Sequence, residues 1–230
     1  MAGHLLDAAL PAPARGVFST RSTGDQRQDS GKAALAAALG VPVSALRYGE
    51  QVHGAGVARA AAMGPGVAGR VPDVDALVSD VSGIVLVVLA ADCMPVLFVD
   101  PRAGLVGAAH AGRAGLLAGV LQATLAELVA AGASPGQVTA VVGPCIGDCC
   151  YELPAEVVAQ FERAVPGTAG CTRWGTASVN LRAGAEGVLR AEGIGGVRHV
   201  GGCTHDQPDQ YYSHRRDATP GRHAGAVLLT

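Results

Sequence analysis

IVLVVLAADCMPVLFVDPRAGLVGAAHAG, residues 84–112, is three apolar runs separated by short polar interruptions. The first, 84–90, is apolar at every position rather than alternate ones, which predicts a strand buried on both faces. Residues 95–99 and 105–109 predict two more strands, and Asp-Pro-Arg-Ala-Gly between them has the Pro and Gly of a tight hairpin turn. Cys93 and His110 stand at the edges of these runs, where reactive side chains are uncommon. The stretch therefore poses two questions: what sheet these strands build, and why its edges carry a thiol and an imidazole.

Outward from this segment, strands are expected at 16–20, 76–78, 138–142, 197–200 and 226–229. Helices are expected at 32–39, capped by Ser30 and ended by Gly40, and at 154–164 and 181–191. The strongest helical pattern runs over 115–131, where Leu117, Leu121, Leu125 and Leu128 recur at spacings of four, four and three. Strands mixed with helices, some joined by tight turns, predict an α/β fold with mixed sheets rather than a strict βαβ winding. Gly and Pro punctuate the chain evenly and no linker divides it, so residues 1–230 are expected to form a single domain.

Composition narrows the function classes. Apolar residues make up 49% and charged residues 16%, which marks a globular chain. Aromatics are only 3%, so the core must be built from Ala, Val, Leu and Gly. A formal net charge of -2 gives no basic footprint for nucleic acid. No segment reads as a membrane span and the N-terminus does not read as a signal peptide, so a cytoplasmic protein with reduced thiols is expected.

The residues before Lys32 lack the spacing and hydroxyl of a phosphate-binding P-loop, and no nucleophile elbow is present. Cys145, Cys149 and Cys150 lack paired C-x-x-C spacing, and Cys149 and Cys150 read as small apolar loop fillers. Three other residues share similar surroundings: His53 in QVHGAGV, Cys93 in AADCMPV and His110 in AAHAGR. Two imidazoles and one thiolate are a ligand set for zinc with its fourth position open, the arrangement that brings the pKa of a bound water toward neutrality. The spacing leaves other readings open: ordinary packing, or Cys93 as nucleophile with His110 as base.

Seven fragments in register carry a resemblance over nearly the whole chain. They are GVFSTRSTG (16–24), QVHG (51–54), VDALVSD (74–80), ADCMPVLFVD (91–100), AAHAG (108–112), GPCIGDCCYEL (143–153) and YYSHRRDATPGRHAGAVLL (211–229). Together they resemble the YfiH family, also called laccase-domain or polyphenol oxidase-like proteins. The resemblance implies an α/β/β/α layered architecture and a zinc site falling on His53, Cys93 and His110. It implies phosphorolysis of adenosine, inosine and 5′-methylthioadenosine, with adenosine deamination beside it. Purine nucleosides and phosphate would be the partners, neither nucleic acid nor membrane, and the protein a monomer or homodimer. Family members have also been linked to editing of peptidoglycan precursors and, with copper, to phenol oxidation. On this reading Arg21, Arg215 and Arg216 are candidates to hold phosphate. Asp75, Asp92 and Cys145 are candidates to support the metal ligands. The usual HAGWRG of the family is HAGRAG here, so Arg113 and Ala114 stand where a Trp-Arg pair is expected. The loop after the STR segment is also shorter than the family pattern.

Overall fold

The run at 84–90 forms strand Val85–Ala90, and the next two form Met94–Asp100 and Leu105–Ala111, paired antiparallel with Phe98 opposite Gly107. This computed structural model describes residues 4–60, 70–218 and 221–230. The first strand does not join the other two. Val85–Ala90 lies in a six-stranded mixed sheet ordered Leu5–Asp7, Ala14–Ser19, His223–Leu229, Val85–Ala90, Leu46–Gly49, Arg70–Val71. The hairpin lies in a second six-stranded sheet ordered Gly196–His199, Thr139–Val142, Met94–Asp100, Leu105–Ala111, Ala76–Ser79, Val57–Arg59.

Period-two geometry explains why strand Val85–Ala90 is apolar throughout. Leu86 and Val88 point to the interface between the sheets, with Phe18, Leu97, Val106 and Val227. Val85 and Val87 point the other way, against Leu35 and Leu39 of helix Asp29–Leu39. The second sheet is likewise covered on its outer face, where Val96, Phe98 and Ala109 pack under Leu121, Leu125, Phe161 and Leu189. Helix, sheet, sheet and helices therefore stack as four layers, the mixed α/β arrangement expected. Among the described residues no helix is long and apolar enough to cross a membrane.

Several local expectations need correction. The first helix begins at Asp29, so Ser30 lies inside it and Gln28 precedes it without a side-chain cap. Asp29 instead places a negative charge on the helix N-terminus and meets Lys32 at 2.8 Å. The helix expected over 115–131 is two helices, Arg113–Ala118 and Val120–Ala130. Gly119 separates them at φ 85°, a left-handed conformation that glycine adopts without strain. The break rotates Leu117 out to solvent and brings Leu116 into the core in its place. His110 lies within its strand, not beyond its end. Strands Leu46–Gly49 and Val57–Arg59 are too short to show a period in the sequence.

A buried histidine makes the fold acid-sensitive. His223 is fully buried at the start of strand His223–Leu229, with its ring 5.7 Å from that of Tyr211. Burial pushes its pKa down to about 4. The unfolded chain takes up this proton near pH 6.5, so it binds more protons than the native state between the two values. Stability from this source is intact above pH 6.5 and falls as pH drops toward 4, by up to about 3 kcal/mol. Denaturant midpoints of the parent chain at pH 7 and pH 4.5 are expected to differ markedly. In His223→Phe the difference shrinks; an undiminished difference would rule out His223 as its source.

Candidate metal centre and cleft

Two crossings between the sheets bring the site together. After Leu46–Gly49 the chain passes from the first sheet to Val57–Arg59 of the second, and the crossing carries His53. After Val85–Ala90 it crosses again to Met94–Asp100, and this crossing carries Cys93. Strands Leu46–Gly49 and Val85–Ala90 run parallel, so both crossings occur at the same end of the sandwich. Strand Leu105–Ala111 returns antiparallel to Met94–Asp100 and delivers His110 to that end.

The ligand atoms of His53, Cys93 and His110 all lie within 4.8 Å of one another. The two imidazoles meet edge to face, with centroids 4.8 Å apart. His110 is buried, Cys93 half-buried and His53 exposed, so the cluster opens outward through His53. Continuing the hairpin register one step past Met94–Ala111 sets Cys93 across from Gly112. A Cβ on Gly112 would stand 2.5 Å from Cys93 Sγ and 3.5 Å from His53 Cδ2. Only a residue without a side chain leaves this space for the thiol and whatever it binds.

Asp75 organises two of the three residues. Its Oδ1 is 2.8 Å from His110 Nδ1. A carboxylate only accepts hydrogen bonds, so Nδ1 carries a proton and Nε2 is the nitrogen left for the cluster. The same carboxylate accepts backbone N–H groups from Val52 (3.2 Å), His53 (3.0 Å) and Gly54 (2.7 Å). These bonds hold His53 at φ 62°, a conformation non-glycine residues seldom adopt. Gln51, which was not anticipated, ties this crossing to the next strand. Its side-chain amide donates to the Leu89 carbonyl and accepts from the Leu89 N–H, both at 2.8 Å.

Electrostatics favour charged sulfur. Burial alone would raise the Cys93 pKa, but hydrogen bonding to His110 and His53 outweighs it and brings the thiol down to about 6. Burial would lower the His110 pKa, but Asp75 and Cys93 overcome it and raise the imidazole to about 9. A metal that accepts the sulfur and Nε2 lone pairs takes the place of the proton these groups share.

The cluster sits in a cleft of about 690 Å³. Its walls include Arg27, Arg70, Arg113, Arg215 and Arg222, opposed by two carboxylates, Glu50 and Asp92. Of Arg21, Arg215 and Arg216, the three candidates to hold phosphate, only Arg215 lines the cleft. Its backbone N–H is 2.7 Å from Asp92 Oδ2, and its guanidinium lies 5.2 Å from the Tyr151 ring centroid. Arg21 turns away to Asp217 at 2.9 Å and stacks over Tyr212. Arg216 bonds the carbonyls of Thr204 (2.7 Å), His205 (2.9 Å) and Tyr211 (2.8 Å), and acts as an internal brace. Arg113 reaches Tyr151 and faces the cleft beside Ala114. The sequence signal for these wall arginines is weak, because they arrive from four separate stretches of the chain.

Among the described residues Asp92 hydrogen-bonds none of the three clustered side chains. It stands at φ 86° immediately before Cys93, its carboxylate held by Thr204 Oγ1 at 2.6 Å and by the Arg215 N–H. It shapes the turn that presents the thiol. Cys145 is fully buried, accepts from Arg182 Nε at 3.3 Å, and is outside the cluster.

Comparison with known proteins places the architecture among relatives. Residues 17–230 match the family model described as multi-copper polyphenol oxidoreductase laccase. A Streptomyces griseus protein named purine nucleoside phosphorylase is 45% identical over 83% of this chain and 77% of its own length. A Mycobacterium bovis protein of the same name is 37% identical over 92% of this chain and 86% of its own length. Among solved structures, NMB0706 of Neisseria meningitidis is 31% identical, covers 98% of both chains and superposes with a TM-score of 0.82. YfiH of Bacillus licheniformis, 24% identical, covers 100% of this chain and 97% of its own and superposes at 0.87.

Proposed function

Since the chain belongs to the multi-copper polyphenol oxidoreductase laccase family, whose solved relatives include YfiH, we propose that it is a zinc-dependent purine nucleoside phosphorylase. The proposed substrates are adenosine, inosine and 5′-methylthioadenosine with phosphate, and adenosine deamination is a side activity. The observation that carries this reading is the His53–Cys93–His110 cluster opening onto an arginine-walled cleft. The names of the bacterial relatives point to the same reaction. Two imidazoles and one sulfur suit zinc, and the space kept open by Gly112 fits a bound ion.

Zinc held by His53, Cys93 and His110 would supply Lewis-acid polarisation at the cluster. The protein's own groups do the rest. Asp75 fixes the tautomer and orientation of His110, and through the backbone of residues 52–54 the position of His53. Arg113 and Arg215, both of which meet Tyr151, present guanidinium forks that match phosphate oxygens. Burial raises the Tyr151 pKa, so its hydroxyl remains a hydrogen-bond donor for phosphate or sugar oxygens. Holding phosphate beside the nucleoside turns a bimolecular encounter into a positioned attack at the sugar.

The decisive assay is phosphate-dependent release of hypoxanthine and ribose 1-phosphate from inosine by zinc-loaded protein. Absence of release at every phosphate and nucleoside concentration would overturn the reading. Arg113→Ala is expected to raise KM for phosphate about tenfold to a hundredfold, the worth of one charge-assisted hydrogen bond. The nucleoside KM should move little. An unchanged phosphate KM would remove Arg113 from the phosphate site.

One observation favours a second reading. Cys93, His110 and Asp75 also form a thiol–imidazole–carboxylate series with a depressed thiol pKa. Such a series suits a cysteine amide hydrolase acting on peptidoglycan precursors. Chelation separates the two: a thiol hydrolase keeps its activity when zinc is removed.

A further inference from the structure

Immediately before Tyr151 of the cleft wall, the loop Gly-Asp-Cys-Cys at 147–150 meets Cys203 from a distant part of the chain. The sulfurs of Cys149, Cys150 and Cys203 all lie within 4.8 Å of one another, and Cys149 and Cys150 are 3.4 Å apart. All three are free thiols. We propose that they form a second metal site, selective for a soft monovalent cation such as Cu(I), separate from the His53–Cys93–His110 cluster.

Three features fit a thiolate complex of this kind. First, the donors are sulfur only, and sulfur-only sets select thiophilic ions over hard ones. Second, hydrogen-bond donors face all three sulfurs, Arg173 doing so while paired with Asp206 at 2.7 Å. Arg173 Nη2 is 3.0 Å from Cys150 Sγ and 3.7 Å from Cys149 Sγ, and the Gly147 N–H donates to Cys203 Sγ at 3.2 Å. Third, the absence of a side chain at Gly147 leaves room beside two of the sulfurs. A Cβ on Gly147 would stand 3.1 Å from Cys149 Sγ and 3.6 Å from Cys203 Sγ. No fourth Cys, His or carboxylate joins the group among the described residues. That leaves three sulfur donors, which complete a three-coordinate Cu(I) ion, whereas zinc would need a fourth ligand from solvent. Loading forms three copper–sulfur bonds and releases the thiol protons to solvent, with no change of oxidation state.

The test uses the full chain with Cys93→Ala, so that the cleft cluster does not compete, titrated anaerobically with Cu(I) against a competing chelator. The expected result is one ion per chain, protection of three thiols from a thiol reagent, and sulfur-only scattering around copper by X-ray absorption. Trp174, the single tryptophan of the chain, lies 5.6 Å from Arg173 and is expected to report loading by a change in fluorescence. Adding Cys203→Ser is expected to weaken binding by more than about 100-fold, the upper end of what loss of even a supporting partner costs a site. No uptake, nitrogen scatterers in the copper spectrum, preferential filling by Zn²⁺, or a folded Cys203→Ser chain that binds as tightly would each overturn the proposal. The scattering and thiol-protection measurements decide the matter even if Cys203→Ser fails to fold.

Discussion

Asp75→Ala is expected to cost about 3–5 kcal/mol of stability, because it strips a buried partner from His110 and leaves polar groups unpaired. Asp75 is buried, and its two oxygens accept from His110 Nδ1 and from three successive backbone N–H groups. Burial would raise its pKa, yet its hydrogen bonds, led by that of His110, outweigh burial and hold it below the usual carboxylate range. One side chain thus sets both the tautomer of a buried imidazole and the path of the crossing that carries His53. On the proposed reading, zinc affinity should fall by at least about 10–100-fold as well, since both histidines lose their orientation. Denaturant unfolding and metal content of purified protein measure the two effects. Asp75→Asn keeps the shape but sets an NH₂ against groups that are themselves donors, so it should recover only part of either loss. An Ala variant with the parent's midpoint and full zinc would show that the carboxylate organises neither residue.

Gly112→Ala should separate function from folding more sharply. One added carbon, 2.5 Å from Cys93 Sγ, forces the thiol or the end of the hairpin to move. Overpacking of this kind costs about 1–3 kcal/mol, so the chain remains folded. A displacement of about 1 Å at a reacting centre can cost about 100-fold in rate. The expected result is a folded protein with reduced zinc content and roughly 100-fold lower turnover of inosine. Retention of both zinc and turnover would mean that the thiol is not a ligand at the position it occupies here.

The contrast between Arg21 and Arg113 shows why site walls are hard to read from a chain. Both are arginines near recognisable motifs, but Arg21 pairs with Asp217, 196 residues further on, while Arg113 faces the cleft. Which arginine is consumed by an internal carboxylate is a tertiary fact. Cys149 and Cys150 read as loop fillers, and nothing adjacent in sequence announces that Cys203 meets them. The helix over 115–131 failed for a local reason instead. A leucine period persists across Gly119, yet the glycine's left-handed φ resets the phase, exposing Leu117 and burying Leu116.

Strands Val85–Ala90, Met94–Asp100 and Leu105–Ala111, the hairpin between the last two, and the mixed α/β class were legible because they rest on local patterns: apolar runs, turn residues and strand-length spacing. QVHG, ADCMPV and AAHAG stand out as candidates in the sequence because each sets a ligand-type side chain within two residues of Gly or Pro, and the structure brings the three together. The sharing of the strands between two sheets was decided only in three dimensions. Local pattern does not say which sheet a fully buried strand enters, since both of its faces are apolar in either case. That assignment makes the segments before His53 and Cys93 into crossings at one end of the sandwich. It brings Asp75 beneath both histidines and opposes Cys93 to Gly112, contacts between residues too far apart in sequence for any local pattern to encode.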